Sequence, residues 1–251
     1  MEKLIYAILS VKSNPEKINL FLSGVQGIGD IDLNAVSVNE LSTVVCSLHK
    51  ADFIADKLNA IAYAGVIDAL AKEFTLLPMR FGSFMGSDEE IVGMLERNYD
   101  SIRQNLEIVE NKYEFGLKVF CDPEQIRIQL SEDLDAGKDS ALDAEEEKGN
   151  SVFRTYINKK LKEHRLEESR LKFADSVISM ISDRLSEMNA ISKFKKIITE
   201  TNIIDALFLL DQERKDELIN TIIEIQNHYA GLKFVLTGPW PPYSFVDVAI
   251  K

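Results

Sequence analysis

Cysteine is nearly absent from this 251-residue chain. Cys46 and Cys121 stand far apart and fit neither a disulfide framework nor a metal knuckle, so a reducing cytoplasm is the expected setting. Histidine is equally sparse. None of His49, His164 and His228 has a second histidine or a cysteine at ligand spacing, so no metal site is expected. Long apolar runs are missing too, and none approaches the roughly 18 residues of a membrane span. The opening stretch, residues 1–10, is short, interrupted and without a small-residue cleavage site, so it reads as a first strand rather than a signal peptide. Basic residues are outnumbered, 29 Lys and Arg against 41 Asp and Glu for a net charge of −12. That balance argues against a nucleic-acid partner, which needs clustered cations. No Gly-x-Ser-x-Gly elbow, His-Glu-x-x-His or phosphate loop occurs. The paired carboxylates, such as Glu145-Glu146-Glu147, stand in polar surroundings that would not raise a pKa. No catalytic residue, cofactor or metal ligand is assigned, and the chain is not expected to be an enzyme.

What is present is a core. With 45% apolar residues the chain can bury a substantial interior, by length most naturally as two domains. Residues 4–11 read as a strand. Asn14 and Pro15 then open a short helix carrying Ile18, Phe21 and Leu22, and Gly24, Gly27 and Gly29 end it. Those three glycines have the reverse of the dinucleotide-binding spacing and lead from helix to strand, so they read as a turn. Residues 31–38 and 41–48 form a hairpin about Asn39-Glu40; residues 52–74 have helical spacing, and 75–79 return to strand. Ser87 caps a helix with Asp88, Glu89 and Glu90 in its first turn, and one apolar stripe runs through Ile91, Leu95, Ile102, Leu106 and Val109 to Lys112.

The second half repeats this order. A strand over 113–121, a long helix over 151–188, β-rich runs over 191–199 and 203–210, a helix over 211–229 and a strand over 232–236 give β-α-β-β-α-β again. Between the first two lies an acidic insertion, 131–150; residues 131–148 hold eight acids and two lysines and read as a solvated loop. The expected fold is α+β, with two ferredoxin-like domains. Residues 1–86 form the first and 87–112 a helical connector. Residues 113–238 form the second domain, with the insertion, and 239–251 a proline and aromatic tail. Cys46 and Cys121, inside or at the end of strands, read as buried small hydrophobes.

Two segments stand out as surface. Near the C-terminus, Leu236-Thr-Gly-Pro-Trp-Pro-Pro-Tyr-Ser-Phe-Val246 holds three of the six prolines and the single tryptophan. Pro239, Pro241 and Pro242 fix φ and remove donors, so neither helix nor central strand is expected to continue past Gly238. Trp240, Tyr243 and Phe245 present aromatic faces that need cover, from their own fold or from a partner. In mid-chain, Leu77-Pro78-Met79-Arg80-Phe81-Gly82 is followed by Phe84, and Arg80 is expected to pair with Asp88 or Glu89. The candidate partner-binding or domain-clasp residues are therefore Pro78, Arg80, Phe81, Phe84, Pro239, Trp240, Pro242, Tyr243 and Phe245.

These two motifs resemble those of the gas vesicle protein GvpL/GvpF family, and length and element order agree along nearly the whole chain. The resemblance implies a non-enzymatic accessory or minor structural protein of gas vesicle assembly, cytoplasmic and associated with the vesicle. It would bind the small hydrophobic major shell protein and limit its aggregation during nucleation, alongside other gas vesicle accessory proteins. Residues alone leave a second reading, a small-molecule-binding regulatory module or compact enzyme on tandem ferredoxin-like domains, because this fold hosts many functions.

Overall fold

The computed structural model describes residues 2–11, 15–122, 152–196, 199, 201–229 and 231–246, with side chains between 152 and 170 described only for His164 and Glu168. The acidic insertion expected at 131–150 lies outside the described residues. Two compact units form. The first takes Met1–Glu114 and resumes at Gly238–Lys251; the second takes Phe115–Thr237.

In the first unit the described elements are β1 (Lys3–Ser10), α1 (Pro15–Leu22), β2 (Leu33–Val38), β3 (Leu41–Ser47), α2 (Lys57–Ala71), β4 (Leu76–Pro78), β5 (Phe84–Met85), α3 (Asp88–Arg97) and α4 (Tyr99–Val109). Their antiparallel sheet has the order β2-β3-β1-β4, and β5 also pairs with β1. The hairpin between β2 and β3 turns on Asn39, whose φ of 52° lies in the left-handed region that asparagine tolerates.

Strand β1 is buried along almost its whole length, on both faces. Leu4, Tyr6, Ala7 and Leu9 share one core with Ile18 and Leu22 of α1 and with Tyr63, Val66, Ile67 and Leu70 of α2. Register slips between Ile5 and Ala7 of β1, so one residue is inserted and Tyr6 and Ala7 can both serve that core. By alternation Ile5 and Ile8 face the opposite way. There the chain supplies α3 and α4, which reach β2 and β5, and β1 and β4, respectively, with Ile91, Met94, Leu95, Ile102 and Leu106 fully buried. The segment expected as a connector thus covers the second face of the first sheet.

The single helix expected over this segment is two. Asn98 leaves helical geometry at φ −111° and ψ 14°, ending α3 and starting α4. Its side-chain amide donates to the Met94 carbonyl at 2.8 Å, which lets a short polar side chain compete with the helical ladder. Ser87 caps α3 as expected, accepting from the Glu90 amide at 3.3 Å.

The second unit is built from β6 (Lys112–Cys121), α5 (Val152–Ser186), β7 (Ile191–Lys196), β8 (Asn202–Asp211), α6 (Lys215–His228) and β9 (Leu232–Trp240), with sheet order β7-β8-β6-β9. Phe115, Leu117 and Val119 of β6 and Phe208 of β8 are buried, as are Val177, Ile181 and Leu185 of α5 and Leu218, Ile222 and Ile225 of α6. Both cysteines are buried thiols outside any disulfide. The last strand corrects an expectation. It does not stop at Leu236 but runs through Gly238 and Pro239 to Trp240. β9 is an edge strand, where a proline without a donor leaves no ladder bond unmade, and Gly238 supplies the φ of 112° that a side chain would resist.

One hydroxyl ties the first unit together. The ladder between β1 and the β4–β5 edge is interrupted at residues 79–83, where Met79 N–H donates to Tyr6 O at 2.8 Å and Ile5 N–H to Ser83 O at 2.9 Å. Tyr63 reaches across from α2 and donates to Ile5 O at 2.7 Å, with Met79 O at 3.0 Å. A hydroxyl carries one proton, so the shorter contact is the donated bond. Tyr63→Phe leaves a buried carbonyl without its donor, and a loss of about 1–3 kcal/mol is expected in urea unfolding.

Candidate functional site

The candidate residues fall on two neighbouring segments of the first unit, and the structure turns many of them inward. Pro78 is buried at the end of β4. Phe53 is the hub of the loop after it: Phe81 packs on it with ring centroids 5.0 Å apart, and Phe84 meets it edge to face at 5.3 Å. Phe81 also packs edge to face on Tyr63 at 5.3 Å, and Tyr63 stacks on Tyr6 at 4.7 Å. Gly82 has a φ of 82°, and a Cβ there would approach the Phe53 ring at 3.3 Å. The loop is therefore pinned by an aromatic chain worth more than its buried area alone. Arg80 is exposed. The expected pairing of Arg80 with Asp88 does not form, because Asp88 sits 3.1 Å from Lys3 Nζ; no ion pair of Arg80 occurs among the described residues.

The C-terminal run is a clasp with an open outer side. Pro241 and Pro242 are buried, and Phe245 is 8% exposed. Trp240 and Tyr243 keep 48% and 41% of their surface open, and Pro239 is exposed. The anchor is Glu114, a residue not singled out from the sequence. Its side chain is buried, and Ser244 donates to it twice, from the backbone N–H to Oε2 and from the hydroxyl to Oε1, each at 2.7 Å. A buried carboxylate needs such charge-assisted partners, and two short ones from a single residue fix that residue's position.

Loop and tail converge on Tyr63. Burial is the main cause pushing its phenol up, followed by the nearby phenol of Tyr243. Tyr243 itself is pushed up to about 12, first by burial and then by the carboxylates of Asp68 and Glu114. Sequence reasoning missed Tyr63; the available signal was a tyrosine where α2 turns toward the core, a position for which Phe or Leu would suffice unless the hydroxyl had a partner.

The glycine run is a turn, as expected. Gly27 is required by contact: a Cβ would lie 2.7 Å from the Tyr6 hydroxyl, which accepts from Ile28 N–H at 2.9 Å. Beside this turn an open depression of about 680 Å³ is lined by polar groups including Asn19, Ser23, Gln26, Asp32 and Asn34, unlike the enclosed apolar cavities that bury small molecules. Among the described residues no three His, Cys, Asp or Glu side chains cluster to hold a metal ion, and no helix is long and apolar enough to cross a membrane.

The family model described as "Gas vesicle synthesis protein GvpL/GvpF" matches residues 3–247. Among curated relatives, gas vesicle protein L of Streptomyces sp. (strain CB03234) is 26% identical over 80% of this chain and 73% of its own length. Gas vesicle protein F1 of Halobacterium salinarum is 24% identical over 94% and 90%. The crystal structure of the gas vesicle protein GvpF from Anabaena sp. PCC7120 superposes with a TM-score of 0.79 at 20% identity, covering 99% of both chains. That of GvpF from Microcystis aeruginosa gives 0.75 at 18% identity, covering 98% of this chain and 99% of its own. At these identities the two crystal structures establish the fold, a mixed α/β chain with two antiparallel sheets.

Two predictions follow from the clasp. Ser244→Ala removes one of the two donors to a buried carboxylate, and a loss of about 1–3 kcal/mol is expected in urea unfolding, with faster proteolysis of the C-terminus. For Tyr243 the raised value means that folding favours the neutral phenol. That stabilisation is complete below pH 10.0, the ordinary tyrosine value, and is lost as pH rises toward about 12. A tyrosinate absorbance titration should show a step near the upper value that Tyr243→Phe abolishes.

Proposed function

The chain belongs to the gas vesicle synthesis protein GvpL/GvpF family, and from that membership we propose that it is a non-enzymatic accessory or minor structural protein of gas vesicle assembly. In this reading it is cytoplasmic, associates with the vesicle, binds the small hydrophobic shell protein and limits its aggregation during nucleation, together with other accessory proteins. The family match over residues 3–247 carries the proposal. The names of the relatives, gas vesicle protein L and gas vesicle protein F1, support it.

We read both sheets as ferredoxin-like, since each follows β-α-β-β-α-β with equivalent strand order. In this reading residues 1–86 and 113–238 carry the two sheets, 87–112 joins them in sequence while packing on the first, and 239–251 is a tail. Of the candidate contact residues, Trp240, Tyr243 and Arg80 present open surface, whereas Pro78, Pro242 and Phe245 are buried in the fold. Partner contact by the tail is therefore assigned to the exposed side of Trp240 and Tyr243.

The experiment is co-purification with the shell protein. Because the tail also anchors its own fold, Trp240→Ala is a cleaner probe than deleting residues 239–251. The variant is expected to keep its melting temperature within a few degrees and to lose about tenfold in shell-protein affinity, as for an aromatic anchor. Unchanged affinity would remove the tail from the contact and leave the assembly role standing. Failure of the unaltered chain to retain shell protein, or normal vesicles in its absence, would reject the role itself.

A further inference from the structure

Helix α2 is apolar on its outer side as well as its inner one. The inner side, Tyr63, Val66, Ile67 and Leu70, is buried in the core of the first unit. With about 3.6 residues per turn, Leu58, Ile61, Ala62, Gly65 and Ala69 form a stripe on the opposite side. Leu58 is 77% and Ile61 58% exposed; Ala62 and Gly65 are exposed and Ala69 half-buried. A Cβ added at Gly65 would meet nothing within 4 Å, and Ile54, just before the helix, is exposed too. From Leu58 to Ala71 the only charged residue is Asp68. A helix that is apolar all round needs cover on both sides, and this one has it on one.

One edge of the stripe carries one charge of each sign. Lys57 and Asp68 stand about three turns apart and so share the edge beside Ile61. Lys57 is exposed and Asp68 half-buried. Among the described residues neither forms an ion pair, nor does Lys72 one turn beyond; the Asp68 carboxylate acts on the phenol of Tyr243. The other edge has Asn59, whose amide donates to Ile54 O at 2.9 Å, the buried Val66, and Glu73, which pairs with Lys17 at 3.0 Å. A twofold axis through the stripe between Ile61 and Ala62 sets Leu58 of one copy over Gly65 of another, and Ile61 against Ala62. The same rotation brings Lys57 toward Asp68 and Asp68 toward Lys57, since an isologous contact makes each pairing twice.

We propose that the outer face of α2 is a self-association surface, on which a second copy of this chain packs its own α2 antiparallel. Leu58 and Ile61 are the projections, and Gly65 and Ala62 leave the room that lets the two axes approach. A second copy supplies both edge charges in matching positions, whereas another apolar partner has to bring a cation and an anion at the same spacing. α2 has 15 residues and is about 22 Å long, so the contact buries less than the roughly 800 Å² per partner of a standard interface. A dimer of micromolar affinity is therefore expected. Two chains of net charge −12 repel, but in about 150 mM salt that repulsion is screened beyond a Debye length of about 8 Å. The assembly role proposed above neither requires this dimer nor depends on it.

The test is sedimentation velocity on the purified full chain in about 150 mM NaCl, from about 1 to 200 μM so as to bracket the expected affinity. A concentration-dependent equilibrium of monomer and dimer is expected. Leu58→Glu/Ile61→Glu, at outward-facing positions, should weaken dimerisation by about tenfold or more. Ile223→Glu, at an exposed isoleucine of α6 in the second unit, should leave it unchanged. Lys57→Glu and Asp68→Lys should each weaken it by about threefold or more, and the two together should restore it, because the exchanged charges meet again. If the glutamate pair disturbs the circular dichroism, Leu58→Ser/Ile61→Ser carries the same test. A chain that stays monomeric across the range overturns the proposal. So does a dimer that the glutamate pair leaves intact, or one that Ile223→Glu weakens equally. Loss with each single charge reversal and no recovery in the combination overturns the antiparallel pairing. A monomeric chain whose capture of shell protein the glutamate pair abolishes assigns the face to that partner and overturns self-association.

Discussion

A strand buried on both faces has no solvent to satisfy whatever its ladder leaves unpaired, and β1 is such a strand. Its pairing with the β4–β5 edge is interrupted where Met79–Ser83 loop out, and every backbone group exposed by the interruption must find a partner inside the protein. Tyr63 meets that need for Ile5 O. The rest of the first unit arranges itself around the same demand. α2 must approach β1 closely enough for a phenol to reach, Phe81 then packs on that phenol ring, and Phe53 closes over Phe81 and Phe84. On the other side, α3 and α4 cover Ile5 and Ile8. The Pro78–Phe84 motif is thus chiefly the consequence of repairing a broken ladder at depth.

The C-terminal run obeys related logic. Glu114 sits where β6 begins, and a carboxylate there is tolerable only with strong donors. Ser244 supplies both from one residue, which holds the segment between the buried prolines and Phe245. Two roles for the tail, packing and contact, are therefore divided by residue. Pro241, Pro242, Ser244 and Phe245 belong to the fold, and Trp240 with the open side of Tyr243 is left to face outward.

The element order was legible because its signals are local: β-branched runs, Pro15 after Asn14, Ser87 before three acids, and Asn39 at a hairpin. The motifs themselves were legible as unusual. Three features were not. The break at Asn98 left the apolar stripe in phase across both helices, so periodicity did not register it. β9 continued through Pro239 because strand position at the sheet edge, a tertiary fact, decides whether a missing donor matters. Glu114 and Tyr63 carry no local signal that singles them out. Their roles depend on Ser244, 130 residues away, and on Ile5, 58 residues away, and no spacing rule spans such separations. The aromatic residues of the loop could be picked out as a group, but the sign of their exposure was not readable, since a ring that packs on Phe53 and a ring that awaits a partner have the same sequence signature.

Charge shows the same difference between sum and arrangement. A net charge of −12 is a sound argument against binding a long polyanion, because the far field of the chain is repulsive. It says little about a contact made within a Debye length, where only neighbouring groups count. Register sets Lys193 opposite Leu207 and Lys195 opposite Asp205, a difference between neighbours that the sum does not contain. Bulk charge and local charge are therefore separate quantities: the sum sets the far field, and a contact is decided by the neighbouring groups alone.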